Sequence, residues 1–342
     1  MRGLPRWPDF FIAGAPKAGT TALHSALVGV PGIALSSPKE PKFFLCDGSP
    51  PPRARHRGPG DAHSRQEWVW RESDYLRLWA GAPDEAVRGE STPFYLHDRE
   101  AHRRIAAVAP HAKFVVLLRD PVDRAYSNWM HLWSDGLEPE PDFVRAVGLE
   151  ASRLRRGWAP FWAYRGLGRY GEQLEHLFRH FDRAQVLVLR YRALVDQPDE
   201  TVAAVLRFLG VPAGPAHLVP HDNTRPLRPD TLRTRSLARL VRAGAAAGAY
   251  APPQVWRNVS RPLLRELHRK GTHRPDLTPE QRRLVLEPML ADLDVLERVT
   301  GQSFEDWRGE SGRGSFTARV KEKAQSTSSV TKSWAPSGRA SS

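Results

Sequence analysis

The eight residues Gly14-Ala-Pro-Lys-Ala-Gly-Thr-Thr21 bring two glycines, one lysine and two hydroxyls into a single turn. They follow a short apolar run, Phe10 to Gly14, and precede apolar residues at helical spacing, Ala22, Leu23, Ala26 and Leu27. A glycine-bearing turn that feeds a helix N-terminus is an anion site, because unpaired backbone N–H groups and the helix dipole both face the ligand. The spacing Gly14-x4-Gly19 is that of a P-loop, but Thr20 stands where a Walker motif places its lysine, and the cation has moved into the loop as Lys17. A second group lies at Leu118-Arg119-Asp120-Pro121, with Ser127 eight residues after Arg119. Arg119 leaves the end of an apolar run, and Ser127 falls about two turns into the helix that follows. A guanidinium fork and a hydroxyl at a strand's carboxyl edge can grip a phosphate. Alone, Arg119 could equally serve a structural carboxylate. Beside the first loop, the pair points to one doubly phosphorylated ligand.

Positioning these groups requires an α/β scaffold. Residues 10–14 have the composition of a buried parallel strand, and the turn 15–19 leads into a helix over 20–28. Residues 86–91 read as a short strand, 99–108 as a helix and 113–118 as the strongest strand in the chain. Pro121 suits the first turn of a helix over 122–133. A helix over about 171–181, a strand over 185–189 and an amphipathic helix over 199–209, stopped by Gly210, complete the alternation. Trp68, Trp70, Tyr75, Leu76 and Trp79 form a helical aromatic pattern after an irregular stretch, 46–67, and a helix over about 279–299 comes last. The expected class is α/β: a mainly parallel central sheet flanked by helices, with a P-loop-like nucleotide-binding core.

At 342 residues with 40% hydrophobic content, the chain has enough apolar surface for a sizeable core, which rules out wholesale disorder. A single cysteine, Cys46, excludes an intramolecular disulfide and any zinc site needing two thiolates. The net charge of +13 comes with 43 Arg and only 8 Lys, a ratio expected of codon bias, so each lysine is the more informative cation. Twelve Lys and Arg crowd residues 221–274 against Asp222, Asp230 and Glu266. From Gly309 onward the sequence is rich in Ser, Gly and Thr and poor in apolar residues, so a domain 1–308 and a disordered basic tail 309–342 are expected. The apolar run at 10–13 is too short for a signal peptide and no run reaches about 18 apolar residues, so a cytoplasmic protein without a membrane span is expected.

These motifs resemble the sulfotransferases that use 3'-phosphoadenosine 5'-phosphosulfate (PAPS). The family's 5'-phosphosulfate loop is similar to Pro16-Lys-Ala-Gly-Thr-Thr21, and its 3'-phosphate motif to Leu118-Arg-Asp-Pro121 with Ser127. Ser37-Pro-Lys-Glu-Pro-Lys-Phe-Phe44, Glu90-Ser-Thr-Pro-Phe-Tyr95 and His131 resemble the bacterial and glycosaminoglycan-type branches. The resemblance covers about residues 9–307. It implies that Pro16, Lys17, Ala18, Gly19, Thr20 and Thr21 cradle the 5'-phosphosulfate, with Lys17 on the bridging oxygen. Arg119 and Ser127 would bind the 3'-phosphate, and Arg269, Lys270, Gly271 and Thr272 would close over the nucleotide. Glu40 matches the catalytic carboxylate of glycosaminoglycan-type members and is the first candidate for the base, with His131 second. Lys17 would take the charge role that a metal plays elsewhere, so no metal is expected. The chain departs from that branch at Ser91, where a lysine is usual, at Lys42, where a histidine is usual, and in lacking its C-terminal disulfide. The donor therefore transfers to this chain and a glycosaminoglycan acceptor does not.

Two other readings compete. A P-loop kinase or nucleotide triphosphatase needs lysine directly after Gly19 and an Asp for Mg²⁺ at a strand end, whereas the chain offers Thr20 and Arg119. A nucleic-acid-binding protein would account for the basic charge, but no helix-turn-helix, zinc or RNA-sheet motif accompanies it. The acceptor hydroxyl or amine, on a carbohydrate, glycolipid or natural product, is left open, as is the oligomeric state. Residues 46–80 and 221–270 are its expected walls.

Overall fold

The computed structural model describes residues 6–50, 58–59, 68–212, 230–247, 267 and 275–309. Its sheet contains β1 (Phe10–Gly14), β2 (Ile33–Leu35), β3 (Val87–Glu90), β4 (Lys113–Leu118) and β5 (Val186–Arg190) in the order β2-β3-β1-β4-β5. Every pairing is parallel. The central strands read Phe-Phe-Ile-Ala-Gly and Lys-Phe-Val-Val-Leu-Leu and are buried almost throughout, as expected of strands covered on both faces. Full burial of each large apolar side chain contributes about 1.5–3 kcal/mol, so Phe10, Phe11, Ile12 and Phe114 anchor the sheet.

Helices connect and flank the strands: α1 (Thr20–Leu27), α2 (Glu72–Leu76), α3 (Arg99–Val108), α4 (Pro121–Ser134), α5 (Phe143–Gly148), α6 (Glu150–Arg155), α7 (Tyr170–Leu177), α8 (Tyr191–Asp196), α9 (Pro198–Leu209) and α10 (Leu232–Ala247). The helices Pro279–Leu286, Leu290–Thr300 and Glu305–Arg308 follow. The chain leaves β1 toward β2 on one side of the sheet and leaves β4 toward β5 on the other. The connections leaving the neighbours β1 and β4 therefore diverge beyond the strands' carboxyl ends, which opens the crevice where open α/β sheets bind ligands. Among the described residues, no helix is long and apolar enough to cross a membrane.

Several expected elements differ. The helix expected over 279–299 is two helices separated by a 3-10 turn, Glu287–Met289, because Pro288 has no N–H and collides with the carbonyl four residues back. The helix expected over 171–181 ends at Leu177, where Arg179 and His180 bond to carbonyls three residues back instead of four. The aromatic stretch 68–79 is helical only from Glu72, and its last turn is 3-10. β2 has three residues, too few to show a period in sequence, and is a strand because it pairs with β3. α5, α6 and α8 are short and were not anticipated. Part of the basic segment is α10, which buries Ala238 and Val241 and leaves Arg235 and Arg239 exposed.

Candidate active site

The loop after β1 uses part of its backbone donors internally: Ala15 N–H bonds to the Leu117 carbonyl and Ala18 N–H to the Ala15 carbonyl. Lys17 has φ 69° and Gly19 φ 90°, two left-handed residues flanking Ala18. That alternation curls successive N–H groups toward one concavity, a nest suited to an anion. Gly19 is also the N-cap of α1, where no side chain caps the helix and no acidic residue occupies the first turn. The first N–H groups of α1 are thus left for a ligand. A Cβ on Gly19 would lie 2.8 Å from Cδ2 of Tyr191 and 3.2 Å from Leu194, so only glycine fits this turn. Thr20 is buried, Thr21 is exposed, and Pro16 and Ala18 pack inward.

Arg119 stands at the adjacent strand end. Its Nη1 donates to the Lys17 carbonyl at 3.3 Å, and its guanidinium lies 4.9 Å from the Tyr191 ring centroid. Tyr170 Oη donates to the Arg119 carbonyl at 2.9 Å. The next residue, Asp120, caps α4 by accepting from the N–H groups of Val122 and Asp123. Arg282 grips the same carboxylate with both Nη atoms, at 3.0 and 2.5 Å. Burial nonetheless pushes Asp120 above the usual carboxylate range, with Arg282 opposing the shift. Ser127 is half-buried on α4. Its neighbour Tyr126 donates to the carbonyl of Pro275 at 2.8 Å, tying the chain back to α4 just after the late Lys-Gly element. Arg269, Lys270, Gly271 and Thr272 themselves lie outside the described residues.

The candidate catalytic side chains fall into two clusters. Lys17 Nζ lies 3.4 Å from Nδ1 of His131, and Nε2 of His131 faces Asp135 at 3.8 Å. An ammonium has only donors, so Nδ1 accepts and the imidazole carries its proton on Nε2, toward Asp135. Phe161 packs edge-on against the ring. Glu40 is buried and receives a 2.9 Å bond from Lys39 Nζ. The backbone around Glu40 is stapled to the end of β3: Ser91 N–H donates to the Lys39 carbonyl, Lys42 N–H to Thr92 Oγ1 and Phe44 N–H to Tyr95 Oη. Lys42, which stands where the family usually has a histidine, is buried with its ammonium 5.5 Å from the Trp68 ring centroid.

Sequence reasoning missed the hub beneath this cluster. Glu90 is fully buried and accepts from Tyr75 Oη at 2.6 Å, Tyr95 Oη at 2.8 Å and Thr92 Oγ1 at 2.6 Å. Burial outweighs these three bonds and raises its pKa to about 7, and the Glu40 charge adds to the rise. His24 Nδ1 and Ser91 Oγ are 2.8 Å apart, and burial together with Lys39 lowers the His24 pKa to about 4. His24 follows Thr20 by four residues on α1, so helical spacing could have placed it behind the loop. Asp135 follows His131 by four residues, so helical spacing could have paired them; nothing in the sequence marks Tyr191 as a neighbour of Arg119, because that contact joins distant elements.

Comparison with known proteins shows that residues 8–215 match the family described as "Sulfotransferase family". The chain belongs to the sulfotransferase family. It is 33% identical over 213 residues to "Heparan sulfate glucosamine 3-O-sulfotransferase 6" of Homo sapiens, covering 61% of this chain and 54% of that protein. It is 30% identical over 227 residues to "Bifunctional heparan sulfate N-deacetylase/N-sulfotransferase 3" of Homo sapiens, covering 64% of this chain and 23% of that protein. The chain thus spans about half the length of the first relative and less of the second. A sulfotransferase structure from Alicyclobacillus acidocaldarius superposes with a TM-score of 0.67 at 27% identity, covering 89% of this chain and 99% of that one. Parallel sheet, flanking helices and this likeness together make the sulfotransferase scaffold a P-loop-like α/β fold. The sulfotransferase match runs from β1 through α9 and contains both anion motifs; α10 and the later helices lie beyond it.

Proposed function

We propose that this chain transfers a sulfuryl group from PAPS to a hydroxyl or amine of a carbohydrate, glycolipid or natural-product acceptor and releases adenosine 3',5'-bisphosphate. The observation that carries this reading is the Lys17–His131 contact at the mouth of an uncapped helix N-terminus, beside Arg119. The residues present fit the donor: the nest and the open first turn of α1 take a 5'-phosphate, and a Cβ at Gly19 would fill that turn. Arg119 and Ser127 take the 3'-phosphate. When bound, PAPS supplies the sulfuryl group and a phosphate leaving group. Lys17 offsets the negative charge that grows on the bridging oxygen. Glu40 accepts the acceptor's proton, and the lone pair of His131 Nδ1 is committed to Lys17, so His131 aims the lysine. The kinase alternative gains no support, since Thr20 opens α1 where a lysine would be required.

Calorimetry with adenosine 3',5'-bisphosphate and with adenosine 5'-phosphate tests the donor site. Loss of the 3'-phosphate removes charge-assisted hydrogen bonds of about 1.5–3 kcal/mol each. Arg119→Ala should erase the difference between the two ligands. Equal affinities for the unaltered protein would overturn the assignment. A screen of acceptor pools with labelled PAPS then reads the transfer itself.

A further inference from the structure

Glu90 ends β3 with its side chain fully buried, and three hydroxyls converge on its carboxylate. Tyr75 and Tyr95 donate to Oε1 at 2.6 and 2.8 Å, and Thr92 donates to Oε2 at 2.6 Å. Two of these hydroxyls pass the contact on. Thr92 Oγ1 accepts from the Lys42 N–H at 3.3 Å, and Tyr95 Oη accepts from the Phe44 N–H at 3.3 Å. A hydroxyl has one hydrogen, and here the carboxylate takes it, which leaves the oxygen's lone pairs turned to the amide. Tyr75 ends the path: among the described residues its hydroxyl serves Glu90 and accepts from no backbone amide.

The segment anchored in this way carries Glu40. Lys42 has φ 58°, a left-handed conformation that is uncommon for a residue with a side chain and persists where its neighbours over-determine it. The bond to Thr92 is one such restraint; the Ser91 N–H bond to the Lys39 carbonyl and the Arg104 bond to the Phe44 carbonyl are others. The charge of the hub decides whether the Thr92 and Tyr95 restraints hold together. An ionised carboxylate only accepts, so it serves all three hydroxyls at once. A protonated one is itself a donor, and one hydroxyl must then turn its hydrogen away. The titratable and charged groups around Glu90 are Tyr75 of α2, Tyr95, Lys39, Glu40 and Lys42 of the anchored segment, and His24 of α1 through Ser91. Burial raises both tyrosines well above their usual value and lowers His24 to about 4, so neither the phenols nor this imidazole change charge where Glu90 does, near 7.

We propose that Glu90 is a positioning residue for sulfuryl transfer: its ionised carboxylate, acting through Thr92 and Tyr95, holds the backbone of residues 39–44 so that Glu40 faces the acceptor. As a role in catalysis this rests on the sulfotransferase reading, whereas the anchoring is measured without a donor.

The test compares the full chain with Glu90→Gln, which keeps the shape and adds donors to the hub, at pH 5.5 and pH 8. Hydrogen exchange, corrected for its intrinsic pH dependence, reads the amides of Lys42 and Phe44. Their protection should be about tenfold higher at pH 8 than at pH 5.5 in the unaltered protein and low at both in the variant. Transfer of label from PAPS into a mixed acceptor pool, at saturating PAPS, reads the consequence. At pH 8 the variant should be slower by about 10–10²-fold, and at pH 5.5 the two proteins should converge. Affinity for adenosine 3',5'-bisphosphate should stay within about threefold. Should Glu90→Gln fail to fold, Thr92→Val and Tyr95→Phe cut the path beyond the hub, while Tyr75→Phe removes a bond that leads to no amide. The first two should lower the rate at pH 8 about tenfold more than the third. Equal losses in all three, the same deficit of Glu90→Gln at both pH values, or unchanged exchange of both amides would reduce Glu90 to packing and overturn the assignment. No transfer by any of the proteins, with the exchange pattern intact, keeps the anchor and removes the donor reading.

Discussion

The proposed division of labour between Glu40 and His131 is read by removing each group in turn. His131 receives a hydrogen bond from Lys17, and Glu40 one from Lys39. Glu40→Gln keeps the shape and removes the basicity, so turnover should fall by about 10²–10⁴ with donor affinity kept within a few-fold. His131→Ala should cost less, through a misaimed Lys17. Steady-state rates with one acceptor under saturating PAPS compare the two, and a reversed ranking makes His131 the base. Glu90 offers a test that needs no acceptor. Its folded-state pKa of about 7 lies above the usual 4.5, so the folded chain holds that proton more tightly than the unfolded one. The stability this contributes is complete below about 4.5 and is lost as pH rises through about 7. Relative to Glu90→Gln, the unaltered protein should therefore lose about 1.4 kcal/mol per pH unit across that window and nothing further above it. Urea unfolding of both proteins from pH 5 to pH 9 measures this, and parallel pH curves would show that Glu90 does not titrate in the window.

At the scale of elements, the site depends on two short junctions. The β1–α1 turn needs a left-handed residue at Gly19 with no side chain, and Tyr191 at the start of α8 occupies the space a Cβ would need. The same Tyr191 ring supports Arg119. Gly19→Ala should therefore cost about 1–3 kcal/mol of stability and also weaken adenosine 3',5'-bisphosphate by tenfold or more, since relieving the clash moves Tyr191 from under Arg119. Urea midpoints and calorimetry on the same variant separate the two effects; lost stability with full affinity would mean the turn relaxes away from Arg119. The β4–α4 junction is held from outside by Arg282, whose Nη2 also donates to the carbonyl of Trp307. A helix from the end of the domain thus fixes the strand end that carries Arg119.

That link carries the described structure as far as residue 309. Trp307 and Phe304 are buried, Arg308 pairs with Asp294 and Glu297, and Arg282 Nε donates to the Gly309 carbonyl. A chain ending at Gly309 keeps all of these contacts and should unfold within about 0.5 kcal/mol of the full chain. A chain ending at Gln302 loses two buried aromatic side chains and should be destabilised by at least 3 kcal/mol. Thermal melts of the two truncations check the boundary, and equal melts would place the end of the domain earlier.

The four longer strands, the anion loop and Arg119 could be read from the sequence because each is a local pattern. An apolar run with no alternation signals a strand buried on both faces, and glycines beside a lysine signal a turn that faces an anion. Glu40 and His131 could be named as candidates for the same reason, from the stretches that contain them. Their partners could not. Lys17 and His131 are 114 residues apart in sequence, and only the packing of α4 across the ends of β1 and β4 brings them to 3.4 Å. Glu90 stands in the sequence inside the strand 86–91 and at the head of the Glu90–Tyr95 motif, with no role attached to it. It becomes a buried hub because Tyr75, Tyr95 and Thr92 converge on it from separate segments. The arginines of α10 could be counted in sequence, but whether a cation is solvated or lines a groove depends on what faces it, and in this protein that is the end of α4.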